Sequence, residues 1–380
     1  LTHPDTLDRG RNRIYPPIAP VNAVSIDSGR RLVWAAIIVF LAAFTVTPVL
    51  LSHDVYSYVD YARLGVLHGL DPYVYPPVTE PLDPAYAHVT WTAATSAYGP
   101  LFTLATYPLA RLPVAPAVAV LKVVSALSVL GIALLVARLA PGRGVSPLPA
   151  AAFVALNPLV LLHVVGGAHN DGLAMLMTMV GVAAMLSARE ATGGGALVVA
   201  IAVKASTGVV APFALLSTAR ALKPTTGLKA VHISALRPVG RFLAGAVLAL
   251  GVIGATSYIA FGWNWLDVIG LAEGNQGRGS HMSIPITFAR ITGLDATAVR
   301  TGALTLYAAF FIYLLVWTWR GNDWLRAAAW ASLGLLLATA WLLPWYLIWA
   351  LPLVALSRDR PLQLLTLALT AYQLPARLPL

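Results

Sequence analysis

Residues 30–51 read RRLVWAAIIVFLAAFTVTPVLL: two arginines, Arg30 and Arg31, then no further charge as far as Leu51. A helix crosses the hydrocarbon core of a bilayer with about 20 apolar residues, so this run predicts a span. Basic residues stay in the cytoplasmic flanks, which puts the start of the run inside and its end outside. Residues 1–30 hold no apolar stretch of the signal-peptide kind, so the run is expected to act as an uncleaved anchor. The whole chain agrees with this reading. Hydrophobic residues make up 58% of its 380 positions and charged residues 11%, against about 25% charged in soluble domains. Such a chain cannot cover a water-facing surface, and disorder needs the opposite composition. The class that remains is an all-α polytopic membrane protein.

Further apolar runs occupy 114–139, 148–166, 171–188, 241–261, 300–319, 324–343, 345–357 and 361–379. The segment 98–112 is short, amphipathic and broken by Pro108 and Pro113, which predicts that it lies in the outer interface. The run 195–219 is interrupted at Lys204-Ala-Ser-Thr-Gly208 and by Pro212. It reads as two half-helices, tolerable in a membrane only where protein or water covers the break. With these assignments seventeen Lys and Arg fall inside, and five, Arg63, Arg111, Arg278, Arg290 and Arg300, fall outside. The net charge of +10 is therefore read as cytoplasmic loops and not as a nucleic-acid surface. Residues 1–30 form a cytoplasmic segment and 31–380 a single transmembrane domain. Its first outer loop, 52–113, carries interfacial helices, and a second outer loop covers 262–299.

Between Ser52 and Ala97 the chain holds five acids (Asp54, Asp60, Asp71, Glu80, Asp83) against one base, Arg63. Tyr56, Tyr58, Tyr61, Tyr73, Tyr75, Tyr86 and nearby Tyr98 are half of its 14 tyrosines. An interfacial aromatic belt explains the rings but not the carboxylates among them. Tyrosine offers an apolar face and a hydroxyl, which suits a sugar's CH patches and hydroxyl groups. Asp54, where the first helix leaves the membrane, is the sharpest of the acids. A second constellation, Gly166-Gly-Ala-His-Asn-Asp-Gly172, joins two spans with no room for a true loop. His169, Asn170 and Asp171 there must be hydrogen-bonded or face a wet cavity; a plainer role is Asn170 or Asp171 as helix N-cap. His169 has no second histidine four residues on, and the chain has no cysteine, so neither a zinc site nor disulfide chemistry is expected.

Lys204 is the one charge in a 25-residue apolar run, too deep to snorkel unless the helix breaks there. Gly274-Asn-Gln-Gly-Arg-Gly-Ser-His-Met-Ser-Ile-Pro285 reads as a glycine-rich loop in which Arg278 and His281 could wrap an anion. Acids, aromatics and cations at one membrane face suggest transfer of a sugar from a lipid phosphate. That reaction needs one general base for the acceptor hydroxyl and cations for the departing phosphate. Asp54 is the expected base. Lys204, His169, Arg278 and His281 are the expected phosphate ligands, and His53, Tyr56, Tyr58, Asp60, Asn170 and Asp171 the sugar or acceptor contacts. No cofactor is expected, a divalent ion being left open.

Four motifs then carry a resemblance. They are Ser52-His-Asp-Val-Tyr-Ser-Tyr58, Asn157-Pro with Gly166-Gly-Ala-His-Asn-Asp-Gly172, Val203-Lys-Ala, and Leu343-Pro-Trp-Tyr-Leu-Ile-Trp349. In this order the chain resembles, over roughly residues 31–357, the polyprenol-phosphate-mannose-dependent α-mannosyltransferases of actinobacterial lipomannan synthesis, in the glycosyltransferase C superfamily. The resemblance implies a multi-helix bundle in the plasma membrane and an active site on the extracytoplasmic side. It also implies a carboxylate base that maps onto Asp54, and an inverting transfer from polyprenyl-phosphate-mannose to a mannan or glycolipid acceptor. The competing reading is a transporter or flippase of a polyprenyl-linked or anionic substrate, since broken helices and intramembrane charges also mark transporters.

Overall fold

The computed structural model describes residues 23–219 and 236–375. The N-terminal arginines Arg9, Arg11 and Arg13 and the basic stretch with Arg220, Lys223 and Lys229 lie outside the described residues. The first half of the chain forms α1 (Ala23–Val46), α2 (Asp54–Leu67), α3 (Pro100–Thr106), α4 (Val114–Leu139), α5 (Pro147–Ala155), α6 (Asp171–Leu186), α7 (Glu190–Val203) and α8 (Ala211–Thr218). The second half forms α9 (Arg237–Phe261), α10 (Val268–Arg278), α11 (Ile284–Thr292), α12 (Ala296–Trp319), α13 (Trp324–Ala338), α14 (Leu351–Ala355) and α15 (Arg360–Gln373). No strand occurs among the described residues.

Four helices, within α1, α4, α9 and α12, are long and apolar enough to cross a membrane. Of these, α1, α9 and α12 bury little inside the protein and leave side chains such as Leu32, Val39, Leu248 and Leu306 exposed. Apolar surface on that scale suits lipid and not water, and the chain is a membrane protein. α4 instead buries Ile132, Val136 and their neighbours against α5 and α6 in the main core.

Several expected spans are broken. The run 148–166 stops after α5 at Asn157-Pro158, because proline lacks an N–H and disfavours helix in the residue before it. The Asn157 side chain accepts the Leu159 N–H at 3.0 Å, and the chain resumes as a wider π turn over Val160–Val165. The run 324–343 ends at Ala338, and Pro344–Trp349 is a tight 3-10 turn before α14. The break foreseen near Lys204 is present: α7 stops at Val203, Lys204 is extended, and 3-10 turns over Ala205–Val210 lead into α8. The glycine-rich stretch differs from expectation. Residues 274–278 belong to α10, since glycine costs about 1 kcal/mol in a helix but does not end one. The stop comes at Gly279, whose φ of +70° is the left-handed value that closes helices.

Two packing features shape the site. Around Ala191–Gly195 and Phe242–Ala246, α7 and α9 touch backbone to backbone: a Cβ on Gly194 would overlap the Phe242 carbonyl, and one on Gly245 the Ala191 carbonyl. Farther along both helices, Val198, Ile201, Leu250 and Ile253 line a cavity. The second feature is the exit of α1. The Lys122 ammonium, reaching across from α4, donates to the Thr47 carbonyl and, at 3.2 Å, to that of Pro48. A cation there complements the carbonyl end of a helix. The Leu50 N–H bonds the Gly166 carbonyl at 3.2 Å, so the turn that delivers residues 52–54 is held from two sides.

Candidate active site

The cavity, about 990 Å³, is lined from one end by Ser52, His53, Asp54 and Trp91, and from another by Lys204 and Ser206. Trp341, Trp345, Tyr346 and Trp349 form an aromatic wall, and α7, α9 and α10 supply a long apolar side that also carries Arg278. Asp54 is the only carboxylate among the described lining residues.

Asp54 opens α2, where a negative charge suits the helix dipole. Its backbone N–H donates to the Ser52 hydroxyl at 3.4 Å, and Trp91 Nε1–H donates to its Oδ1 at 3.2 Å. Burial raises this carboxyl above its ordinary range, against the opposing charge of Lys204 and the Trp91 bond. Behind it lies His169, fully buried and stacked on Trp345 with ring centres 3.7 Å apart. Its Nδ1 sits 3.8 Å from Asp54 Oδ2.

Lys204 owes its place to the helix break and to the segment before α3. Gly99 lies directly against that break: its N–H bonds the Val203 carbonyl at 3.3 Å, and a side chain there would strike the Ala202 carbonyl. Lys204 Nζ pairs with Asp171 Oδ2 at 2.7 Å, and Trp349 Nε1–H donates to Asp171 Oδ1 at 2.6 Å. The ammonium also stands 5.2 Å from the Tyr346 ring centre and 5.8 Å from that of Trp349, within cation–π range. Asp171 is wholly buried, while the Lys204 side chain keeps 18% of its surface accessible. A buried carboxylate thus holds a cation whose head borders the cavity.

The structure gathers only some of the residues singled out from the sequence. Asp54, His53, Lys204 and Arg278 line the cavity; His169 and Asp171 stand behind Asp54 and Lys204. His281 is exposed and outside the lining. Asn170 precedes α6 as its N-cap, yet its side chain makes no capping bond. Tyr58 is buried, with its hydroxyl accepting the Asn170 N–H at 3.5 Å. Tyr56 stacks on His88 with ring centres 4.8 Å apart. Trp91, Trp345, Tyr346 and Trp349 are site residues that sequence reasoning gave no role, although three of them lie in the quoted 343–349 motif.

Asp60 sits apart, buried within α2 with Oδ1 unpaired among the described residues. Burial, reinforced by the nearby Asp83 charge and opposed by His68 and Arg63, raises its carboxyl to about 7. Asp83 also suffers from burial, but hydrogen bonds from Arg63 and His68 outweigh it and hold that carboxyl below its ordinary range. Between the unfolded value of Asp60, about 4, and its raised folded value, the unfolded chain binds fewer protons. Stability therefore falls as pH rises through that window. Asp60→Asn should raise the melting temperature at pH 8 and leave it nearly unchanged at pH 4; equal melting temperatures at pH 8 would contradict the buried charge.

The chain is 32% identical over 352 residues to the α-(1→6)-mannopyranosyltransferase A of Mycobacterium tuberculosis, covering 84% of this chain and 64% of that protein. It is 28% identical over 214 residues to the enzyme of the same name from Corynebacterium glutamicum, covering 54% and 42%. To a probable α-(1→6)-mannopyranosyltransferase of Mycolicibacterium smegmatis it is 27% identical over 364 residues, covering 83% and 63%. The chain thus spans less than two thirds of the length of these relatives. No solved structure matches it at a significant level. A family model described as "alpha-(1->6)-mannopyranosyltransferase, N-terminal domain" matches residues 17–220, the stretch that holds Asp54, His169, Asp171 and Lys204, and the chain belongs to that family.

Proposed function

We propose that this protein transfers a mannosyl unit from polyprenyl-phosphate-mannose to a mannan or glycolipid acceptor, with inversion, at the extracytoplasmic face of the plasma membrane. The observation that carries the reading is that Asp54 and Lys204 border one cavity whose remaining wall is largely apolar. A polyprenyl chain suits the side lined by Val198, Ile201, Leu250 and Ile253. Its phosphate suits the two cations at the lining, Lys204 and Arg278, and the mannose suits the space before the tryptophans.

Asp54 Oδ takes the proton of the acceptor hydroxyl, and the freed oxygen attacks the anomeric carbon. The bond from that carbon to the phosphate oxygen breaks, its electron pair leaving with the phosphate. No second carboxylate is required, because the phosphate departs without protonation. One displacement with one base inverts the anomeric carbon. Lys204 and Arg278 offset the negative charge that grows on the phosphate, the role usually filled by preorganised cations.

The test is purified protein incubated with polyprenyl-phosphate-mannose and a short mannose acceptor, read by mass spectrometry. An α-linked product is expected; donor binding without product would favour a carrier instead. The side is tested separately. The chain has no cysteine, and Thr79 and Gly277 are exposed. Single cysteines there should react with an impermeant reagent on intact cells, and labelling only after the inner face is opened would reverse the orientation.

A further inference from the structure

His169 is buried completely, yet neither of its ring nitrogens has a hydrogen-bond partner among the described residues. Buried polar atoms left unpaired lose their bonds to water without replacement, so a pair on one ring calls for an explanation. The neighbourhood supplies one. Trp91 Nε1–H is a donor only and occupies Asp54 Oδ1, which leaves Oδ2 as the oxygen to receive a proton. Oδ2 is the atom facing His169 Nδ1 at 3.8 Å. A closure of about 1 Å reaches hydrogen-bonding range. The stack on Trp345 fixes the plane of the ring while leaving its edge toward Asp54. The ring also borders, with Asn170 and Ser125, a void of about 10 Å³, room for about one water.

We propose that His169 is a positioning residue for the transfer reaction: its Nδ1 accepts a hydrogen bond from the carboxylic acid that Asp54 becomes on taking the acceptor's proton. The inference rests on the reading of Asp54 as base. The acceptor O–H bond breaks and its electron pair forms the new glycosidic bond while the anomeric carbon–phosphate oxygen bond breaks and its pair leaves with the polyprenyl phosphate; the proton resides on Asp54 Oδ2, shared toward Nδ1. His169 stays neutral and never touches the sugar. Unprotonated, Asp54 accepts from Trp91; protonated, it donates to His169.

The geometry predicts a sign. A partner that accepts from the protonated acid favours that form, so removing it lowers the pH at which Asp54 ionises. Other groups bear on Asp54 as well. They are Lys204 from the helix break, Asp171 from α6, Tyr98 before α3, Tyr346 from the 344–349 turn, and Tyr58 and Tyr61 from its own helix. His169→Phe changes none of these groups, so the difference between variants is read for the imidazole.

The experiment is the pH profile of turnover for the full chain with polyprenyl-phosphate-mannose and a mannose acceptor, for wild type, His169→Phe and Asp54→Asn. Phenylalanine keeps a ring against Trp345 and removes both nitrogens. His169→Phe should lower plateau turnover about 10-fold, leave donor KM unchanged, and move the acid limb about one pH unit lower. A limb that stays put, or moves higher, overturns the proposal, because a merely structural ring would lower yield or stability without moving it. Infrared spectroscopy of the wild type gives a reading that does not depend on how His169→Phe folds. The protonated-carboxyl band lost in Asp54→Asn should have the frequency of an acid donating a hydrogen bond, and that of a free acid overturns the assignment. Near-normal turnover in Asp54→Asn would instead remove the base itself. An inactive Asp54→Asn beside an unmoved limb in His169→Phe would remove only the histidine.

Discussion

Asp54→Asn is expected to lower turnover by about 100-fold or more, the usual yield of a positioned general base being about 100- to 10,000-fold. The amide keeps the size of the side chain and can still accept from Trp91. It cannot take a proton at the pH of the assay. The fold should tolerate the change, since among the described residues no charged group approaches Asp54 closer than the 3.8 Å of His169. Loss of turnover with unchanged melting temperature and donor affinity is the expected pattern. Because burial raises this carboxyl, wild-type activity should rise with pH through a limb above the ordinary carboxylate range. Turnover near wild type in the amide variant would transfer the role to another group.

Lys204→Met should produce two losses, and they can be separated. The first is structural. The change leaves Asp171 wholly buried with the Trp349 bond alone, and breaking one side of a buried pair costs about 3–5 kcal/mol. The melting temperature should fall. The second is functional: a charged hydrogen bond to an anion is worth about 1.5–3 kcal/mol, so donor affinity should drop roughly 10-fold or more, and transfer with it. The double variant Lys204→Met/Asp171→Asn removes the stranded carboxylate. It should regain much of the lost stability but none of the donor affinity. Full recovery of both would make Lys204 a strut and nothing more. Lys204→Arg is no neutral control, because its planar fork needs different angles at Asp171.

The membrane class was legible because it depends on summed hydrophobicity, which needs no knowledge of contacts. α4 was legible to the residue, its ends marked by Pro113 and by Arg138 followed by Pro141. The break at Lys204 was legible too, from one charge in an apolar run. What composition could not show was how many runs remain continuous helix. Asn157-Pro158 and the stretch Thr339–Pro344 each interrupt an unbroken apolar pattern, and hydropathy is blind to the loss of a backbone donor. The Gly274–Arg278 stretch failed in the opposite sense, since glycine and polar residues in a helix look like a loop. At the site, Asp54, Lys204 and Asp171 stood out as charges in unlikely places. Trp91, Trp345, Tyr346 and Trp349 did not, because an aromatic residue in a membrane chain has a ready explanation at the interface. Their role depends on long-range contacts: Trp349 meets a carboxylate 178 positions earlier, and no local pattern announces such a partner.

That contact gives the architecture a consequence for how the chain can be divided. The N-terminal-domain model of the family matches residues 17–220, and that stretch carries the acid, the histidine and the ion pair. The indole that completes the Asp171 bonds, the one stacked on His169 and the tyrosine beside Lys204 all lie between 345 and 349. A fragment cut at residue 220 would inherit Asp54, His169 and the Lys204–Asp171 pair but lose Arg278 and the wall against which those groups are set. The unit that the N-terminal-domain match delineates is smaller than the unit that must fold together, so shuffling of front and rear halves among relatives has to exchange Asp171 and Trp349 as a matched set.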